Sequence, residues 1–400
     1  MPTRKSIIWL LAAAALYFIA WNIGGGWLYT IIAILIAFPL GSLIISRFNT
    51  GSISLTQECP DRCSQGDELS TTITIRNRSR LPRFLLDITG SLGGSDASLL
   101  LAHAGGASSR EIPLVFSNVR RGIYTGGGFT LSSRAPAGLA RSRRGFMTDC
   151  PLVVYPRWRQ LAGDWGSGDA GSGHAGAGAA PARAASGDYL GVREYRPGDS
   201  PRSIHWKTTA RSNRLTVTEY ARPVTMVPVF IVDPFRQGEI GEGDDSSFET
   251  AVSLAASLVQ REALHRRDFG IGASWEEAAA RGLDSDPEAA MLFLAGLRAE
   301  SREPLGLDTA GTGWADATPV VIMTSHTAYA TVDESDLVAD YPQSMILMID
   351  GRACGPDYRQ RGLLLDDSRI DRLAGRLDAT GCRFLLIDPD EDLERCLEGL

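Results

Sequence analysis

The sequence predicts two transmembrane helices followed by an all-β sandwich and a doubly wound α/β domain. Three observations lead to this fold class. Two long apolar runs open the chain, short alternating strands separated by Gly, Pro, Asn and Ser follow, and strands then alternate with helices. At 400 residues, the chain is long enough for two domains beyond the membrane segment, at roughly 150 residues per domain. The patterns change at four places, which divides the chain into a hairpin at 1–47, a sandwich at 48–160, a flexible insertion at 161–187, a charge-dense segment at 188–223 and an α/β domain at 224–400.

The N-terminal apolar runs predict a membrane hairpin. Ile7–Ile23 and Trp27–Ile45 are each near the ~20 residues that a helix needs to cross a bilayer core, and glycines 24–26 separate them. A cleaved signal peptide is the alternative, but no small-x-small cleavage site follows and a second apolar run does. The positive-inside rule predicts that both ends of the hairpin are cytoplasmic, because the basic residues that flank it are Arg4, Lys5 and Arg47.

The six cysteines are scattered, and in a reducing compartment we expect them to be free, partly buried thiols. Cys59 and Cys63 form the one close pair. A zinc site there would need two further ligands, and neither His103 nor Cys150 is placed in the sequence so as to suggest one.

The region after the hairpin has the strand pattern of a small antiparallel sandwich. Leu69–Asn77 alternates clearly between apolar and polar residues. The other predicted strands are Phe84–Ile88, Glu111–Phe116, Gly122–Leu131 and Leu152–Tyr155. Residues 162–186 are rich in Gly, Ala and Ser and predict a flexible insertion, because they offer little apolar surface to bury.

The C-terminal region predicts a sheet with helices on both faces. Its first strand, Val227–Asp233, is a continuous apolar run that ends in an acid, which is typical of a buried parallel strand. The further predicted strands are Phe269–Ala273, Pro319–Thr324, Ser344–Asp350 and Arg383–Asp388. The predicted helices are Phe248–Arg266, with Ser246 and Ser247 as cap candidates, Pro287–Arg298 and Asp366–Leu377.

Residues 188–223, which we call the signature segment, reverse the charge balance of the chain. From Gly187 to Pro223 there are seven basic and four acidic residues, in a protein of formal net charge -7. A strand at Tyr189–Tyr195 and a Pro-Gly turn at 196–199 are predicted, followed by a helix from the cap candidate Ser200 to Arg211 and a strand at Leu215–Tyr220. Arginines and acids within this unit are close enough in sequence to form ion pairs that order the turn.

The signature segment resembles the bacterial and archaeal family called domain of unknown function 58. The matching positions follow the pattern Arg-x-Tyr-x-Pro-Gly-Asp-x-x-Arg-x-Ile-x-Trp-Lys-x-x-Ala-Arg, and they are Arg193, Tyr195, Pro197, Gly198, Asp199, Arg202, Ile204, Trp206, Lys207, Ala210 and Arg211. The order of membrane spans, signature and α/β region also resembles the family, so the likeness covers nearly the whole chain.

The resemblance carries further expectations and two departures. It implies that the C-terminal domain is von Willebrand factor A-like, with a possible Mg²⁺ site after the first strand. Asp233 is present there, but Phe235 and Gln237 stand where hydroxyls are expected, so no metal is predicted and Asp233 is only a weak candidate. The stretch 121–124 resembles another family motif, whereas residues 135–139 have lost the acidic and aromatic residues of a third.

Two chemical alternatives remain open. A hydrolase would need His205 and Asp199 to cooperate, but their six-residue spacing does not imply a dyad, and the sequence shows no serine-elbow or phosphate-loop motif. Nucleic-acid binding would use the arginines and aromatic residues of the signature segment. The sequence pI near 5.4 and the acids beside those arginines argue against it.

We therefore expect a non-enzymatic, membrane-anchored adaptor with a cytoplasmic docking surface and no cofactor. The resemblance implies a MoxR-type AAA+ ATPase as a partner, and a transglutaminase-like membrane protein as a further one. The eleven matching positions of the signature segment are the predicted interaction residues. The sequence leaves open whether they contact a partner or hold the domains together, and a structural role is slightly favoured.

Overall fold

The computed structural model describes residues 3–134, 138–161, 189–196, 203–212, 214–220, 227–241, 243–282, 286–303, 317–325, 344–351 and 383–388, with the single residues 305, 354 and 375. The predicted flexible insertion and the predicted helix 366–377 lie outside the described residues, apart from Leu161 and Gly375.

The chain begins with two antiparallel apolar helices, α1 (Arg4–Ile23) and α2 (Gly26–Thr50), as predicted. Both are long and apolar enough to cross a membrane. Gly24 ends α1 in the left-handed conformation (φ 69°), which a glycine adopts without steric cost and which lets the chain reverse within two residues. The residues buried between the helices include small alanines that allow close packing, and they are Ala13, Ala20, Leu28 and Ile32.

A β-rich region follows, with strands that are mostly short and antiparallel. They are β1 (Ile53–Glu58), β2 (Arg62–Ser64), β3 (Leu69–Asn77), β4 (Arg83–Leu92), β5 (Ser95–Ala104), β6 (Ser109–Phe116), β7 (Gly122–Tyr124), β8 (Gly128–Ser133), β9 (Ser142–Met147) and β10 (Leu152–Tyr155). Two sheets, in the orders β1-β3-β6 and β5-β4-β8-β9, enclose one apolar core, and β2-β10-β7 forms a small third sheet. This region is the predicted sandwich.

The predicted strand Gly122–Leu131 is two strands, β7 and β8. The backbone between them pairs with another segment instead of continuing the ladder: Cys150 N donates to Thr125 O, and Thr148 N donates to Gly127 O. Gly126 lies so close to this neighbour that a Cβ there would stand 1.8 Å from the Thr148 carbonyl oxygen. Side-chain alternation does not reveal this break, because it depends on a contact between distant segments.

The C-terminal region contains a five-stranded parallel sheet in the order β14-β13-β15-β16-β17. Strands β11 (Tyr189–Glu194) and β12 (Thr216–Tyr220) form a separate two-stranded sheet. The strands of the parallel sheet are β13 (Val227–Val232), β14 (Gly270–Gly272), β15 (Ala317–Thr324), β16 (Met345–Ile349) and β17 (Arg383–Ile387). The first strand of this sheet lies second from one edge, which is the strand order of flavodoxin-type doubly wound sheets.

Helices cover both faces of the parallel sheet. They are α4 (Ser247–Leu264), α5 (Trp275–Arg281) and α6 (Pro287–Gly296). Helix α3 (Trp206–Ser212) belongs to the signature segment instead. Alternate β13 residues point to opposite sides: Phe230 packs with α4 and α6, and Ile231 packs with α5. The sequence analysis missed α5. The cap prediction for α4 is confirmed, since the Ser246 hydroxyl accepts a hydrogen bond from Glu249 N at 3.2 Å.

The expectation that the cysteines are free thiols is wrong for one pair. Cys59 and Cys150 form a disulfide across a sequence separation of 91 residues, with a Cα–Cα distance of 5.9 Å. Cys59 directly follows β1 and Cys150 precedes β10, so the bond links the sheet that contains β1 to the small sheet that contains β10. Cys63, the sequence neighbour of Cys59, keeps a free thiol. Spacing along the chain does not reveal this pair, because the fold determines which cysteines meet.

Candidate functional site

The described part of the signature segment is an antiparallel hairpin of β11 and β12 with α3 beside it. Arg193 pairs with Val217, and Val192 pairs with Thr218. Ile204 forms a further antiparallel bridge to Val217, just before the helix. Helix α3 begins at Trp206, later than the predicted start at Ser200.

His205 fixes the start of α3. Its Nδ1 accepts a hydrogen bond from the backbone N–H of Thr208 (3.2 Å), and the Thr208 hydroxyl oxygen lies 2.9 Å from the same nitrogen. The His205 backbone also bonds to Thr216 of β12, because His205 N donates to Thr216 O at 2.9 Å. The imidazole thus takes the place of the usual Ser, Asp or Asn cap and ties the helix to the hairpin.

One face of α3 is open to solvent and carries four of the predicted signature residues. Trp206 is 67% exposed, and Lys207, Ala210 and Arg211 are also exposed. The intervening Thr208 and Thr209 are half-buried, and Thr209 Oγ1 lies 3.0 Å from Thr216 Oγ1. Positions i, i+1, i+4 and i+5 share one side of a helix, so the spacing Trp-Lys-x-x-Ala-Arg encodes an outward face.

The ion pair seen in this unit involves residues that the sequence analysis did not single out. Arg214 Nη1 lies 2.8 Å from Glu194 Oε1, and both side chains are mostly exposed. The hydrogen bond and charge of Glu194 raise the pKa of Arg214 above its ordinary value. Exposed pairs of this kind contribute little to stability, because water screens both charges. Arg193 and Tyr195 are half-buried, and Arg193 Nη1 donates to Glu194 O at 3.2 Å.

Four predicted interaction residues lie outside the described residues: Pro197, Gly198, Asp199 and Arg202. The predicted network around the Pro-Gly turn therefore stays a prediction. The other seven positions, 193, 195, 204, 206, 207, 210 and 211, are brought together in the hairpin and α3.

Asp233, the weak metal candidate, is buried and engaged with the backbone. Its Oδ1 accepts hydrogen bonds from Phe235 N and Leu305 N, both at 3.2 Å. This carboxylate therefore joins the end of β13 to residue 305. The described residues contain no group of three or more His, Cys, Asp or Glu side chains arranged to hold a metal ion.

Arg121 joins the sandwich to the α/β region, a role that the sequence analysis did not find. Its guanidinium donates to both carboxylate oxygens of Glu249 in the first turn of α4, and to the carbonyl oxygens of Leu294 and Leu297 at the end of α6. It also lies 5.3 Å from the ring centroid of Phe248. The sequence contains one indication of this role, the stretch 121–124, which resembles a family motif. The acidic partner of Arg121 is Glu249, which is distant in the sequence.

Comparison with known proteins supports the family resemblance for the segment around the hairpin and α3. The model of the family described as "Protein of unknown function DUF58" matches residues 191–277. This range includes most of β11, all of α3, β12, β13, α4 and β14, and the start of α5. Among proteins with curated descriptions, none matches the chain.

Solved structures show only distant likeness. The CARDB domain of a Pyrococcus furiosus protein is 10% identical and covers 24% of this chain and 94% of its own, with a TM-score of 0.17. The Pseudomonas fluorescens alkylpurine DNA glycosylase AlkC is 12% identical, covering 34% and 46%, with a TM-score of 0.16. The Vibrio harveyi exo-β-N-acetylglucosaminidase is 9% identical, covering 84% and 76%, with a TM-score of 0.21. Scores of this size carry no information about function.

Proposed function

We propose that this chain is a non-enzymatic, membrane-anchored adaptor that docks a protein partner on the exposed face of α3. The observation that carries the proposal is the exposure of Trp206, at 67%, beside Lys207 and Arg211. Tryptophan and arginine are enriched among the residues that dominate protein–protein binding energies. A mainly structural role for these positions would instead bury them.

The chemistry of this face indicates the partner's surface. Trp206 offers an apolar centre, and Leu215, at 47%, and Val192, at 38%, are further exposed apolar residues of the same unit. The cations Lys207 and Arg211 lie on the same side of the helix as the indole. A partner that fits would present an apolar pocket with acidic residues at its rim.

The family resemblance suggests which partner has that role. We infer a MoxR-type AAA+ ATPase, with a transglutaminase-like membrane protein as a further component of the same assembly. The parallel sheet after the signature segment would act as a von Willebrand factor A-like recognition module without a metal. The membrane would hold the adaptor in place through α1 and α2, which have suitable length and composition.

The proposed cytoplasmic orientation is in tension with the disulfide. Arg4, Lys5 and Arg47 favour cytoplasmic ends under the positive-inside rule. A Cys59–Cys150 bond is more typical of an oxidising compartment. We give more weight to the flanking charges, and the proposed orientation keeps the sandwich on the cytoplasmic side.

The proposal is tested by crosslinking the tagged protein in its native membranes, with and without ATP, and identifying the partners by mass spectrometry. A double variant, Trp206→Ala with Arg211→Ala, removes the centre and one cation of the face. Trp158→Ala is the matched control, because Trp158 is also exposed, at 43%, but lies outside the signature segment.

We expect the wild type and the Trp158→Ala control to recover an AAA+ ATPase, and the double variant to lose it. If the double variant is folded and abundant but recovers the same ATPase, the docking site lies elsewhere. If the wild type recovers none, the adaptor function itself is contradicted.

A further inference from the structure

The end of α2 is fastened directly to the sandwich, with no flexible linker. Asn49 Nδ2 donates to Phe84 O at 3.1 Å, and the hydroxyls of Thr50 and Ser142 lie 2.8 Å apart. The buried Arg83 donates to the carbonyl oxygen of Phe48, with its guanidinium 3.6 Å from the centroid of the Phe48 ring. Removal from water lowers the pKa of Arg83, as expected for an enclosed guanidinium.

The start of α1 is fastened to the same end of the sandwich. Thr3 N donates to Leu139 O at 3.1 Å, and the Thr3 hydroxyl lies 2.9 Å from Gly138 O. Ser142 follows closely in the chain and bonds to α2, so both helices meet one narrow region of the sandwich. The orientation of the sandwich is therefore fixed relative to the helix pair.

The length of α2 places this junction at the membrane surface. A helix of 25 residues is about 37 Å long at 1.5 Å per residue, whereas a bilayer hydrocarbon core is about 30 Å thick. If α2 crosses the bilayer, its last turns and the attached end of the sandwich enter the headgroup layer. We call this region, residues 47–52, 77–86, 102–109 and 138–143, the membrane-proximal end.

The membrane-proximal end exposes the two kinds of side chain that bind a bilayer surface. Leu81 is 56% exposed, Phe84 46% and Leu85 45%, all beside the end of α2. The exposed cations at or next to this end are Arg47, Arg78, Arg80, Arg134 and Arg143. Arg141 lies among them, and burial followed by the charges of Arg143 and Arg134 lowers its pKa.

We propose that the membrane-proximal end is a lipid-binding surface that inserts Leu81, Phe84 and Leu85 into the bilayer interface and binds anionic headgroups through the surrounding arginines. This inference requires that α1 and α2 span the bilayer, and it is independent of any partner on α3. Apolar side chains ringed by cations are the composition that binds anionic membrane surfaces. This surface is continuous with the spanning helices, so it lies next to the bilayer that those helices cross.

The experiment uses the full-length protein in nanodiscs of phosphatidylcholine and phosphatidylglycerol, with the photocrosslinker p-benzoylphenylalanine in place of Phe84. Its aromatic ring resembles that of Phe84, which is exposed, so the fold is preserved. After irradiation, intact-mass spectrometry identifies each lipid adduct and its headgroup. Ile34, mid-span and 59% exposed, is the positive control position.

Met147 is the matched negative control. It is 84% exposed and lies at the opposite end of β9 from Ser142, about 17 Å away at 3.4 Å per residue. We expect adducts at positions 34 and 84 but not at 147, with phosphatidylglycerol over-represented severalfold at 84 relative to 34.

Three results would overturn the proposal. No adduct at 84, with adducts at 34, would show that the membrane-proximal end stands away from the bilayer. If position 34 gives no lipid adduct, α2 does not span the bilayer, and the proposal loses its premise. Adducts at 84 without phosphatidylglycerol enrichment would contradict the binding of anionic headgroups.

Discussion

Arg121 and Glu249 form a two-point ion pair between the sandwich and helix α4, with Nε–Oε2 at 2.6 Å and Nη2–Oε1 at 2.8 Å. The Arg121 side chain is only 5% exposed, and Glu249 is 21% exposed. The same guanidinium binds the carbonyl oxygens of Leu294 and Leu297, so it satisfies backbone acceptors that the end of α6 leaves open. This single side chain connects three segments of the fold.

Arg121→Ala should destabilise the contact between the two regions by about 3 kcal/mol, because it leaves a largely buried carboxylate and two carbonyl groups without donors. Arg121→Lys should be intermediate, since a lysine keeps the charge but cannot bind both carboxylate oxygens in this way. Denaturant unfolding of the purified protein, followed by circular dichroism, measures the loss.

Arg120→Ala, at the neighbouring position, is the control for the Arg121 variants. The Arg120 side chain is 60% exposed, and its Nε lies 3.8 Å from Asp244 Oδ1. Its removal should therefore change the unfolding free energy by less than about 1 kcal/mol. Equal effects at positions 120 and 121 would contradict the role assigned to Arg121.

His205→Asn should leave α3 intact, whereas His205→Ala should cost about 1 kcal/mol, because Asn can replace Nδ1 as an acceptor for the first-turn N–H and Ala cannot. Hydrogen exchange of the Thr208 and Thr209 amides reports the difference. The pair of variants also separates a cap from a general base. Should any hydrolytic activity of the protein disappear in His205→Asn while the helix stays protected, His205 would have a catalytic role.

Reduction of the Cys59–Cys150 disulfide should lower the unfolding free energy by about 2–4 kcal/mol, because the bond limits the conformations of a long unfolded loop. Thermal unfolding with and without reductant measures this change. A Cys59→Ala, Cys150→Ala variant should show no response to reductant. An equal response in that variant would place the effect at another site.

Cys63 should react slowly with iodoacetamide at neutral pH, and its rate should rise up to about pH 11. Burial, followed by the charge of Asp67, raises the pKa of the Cys63 thiol to about 11, and the thiolate is the reactive form. The unfolded chain ionises first, near 8.5. Because the thiol ionises later in the folded protein, its contribution to the unfolding free energy is fully present below about pH 8.5. That contribution is lost as the pH rises from there toward 11. Peptide mass spectrometry measures the alkylation rate, and a maximum rate already at pH 8 would contradict the shift.

Local patterns sufficed for much of the fold. Leu69–Asn77 and Leu152–Tyr155 are strands with the predicted bounds, because alternation along a two-faced sheet is visible in the sequence. The buried parallel strand was found within one residue for a related reason, as its continuous apolar run reports burial on both faces. Helix α5 was missed because its seven residues are too few to show a period.

Contacts between distant segments could not be predicted from these patterns. The partner of Cys59, the break at Gly126 and the clamp at Arg121 each depend on which segments meet in the fold. At the candidate site, the interaction role of the signature residues and their slightly favoured structural role both stay predictions. The exposure of Trp206 and the bridge from Ile204 to Val217 likewise depend on how α3 lies on the hairpin.

The most direct test of the proposed docking face places p-benzoylphenylalanine at position 206 in cells and compares its crosslinks with those from position 158. We expect a protein adduct from position 206, identified as an AAA+ ATPase, and none of that mass from position 158. A position-206 variant that is folded, inserted in the membrane and free of protein adducts would contradict the central claim that α3 binds a partner.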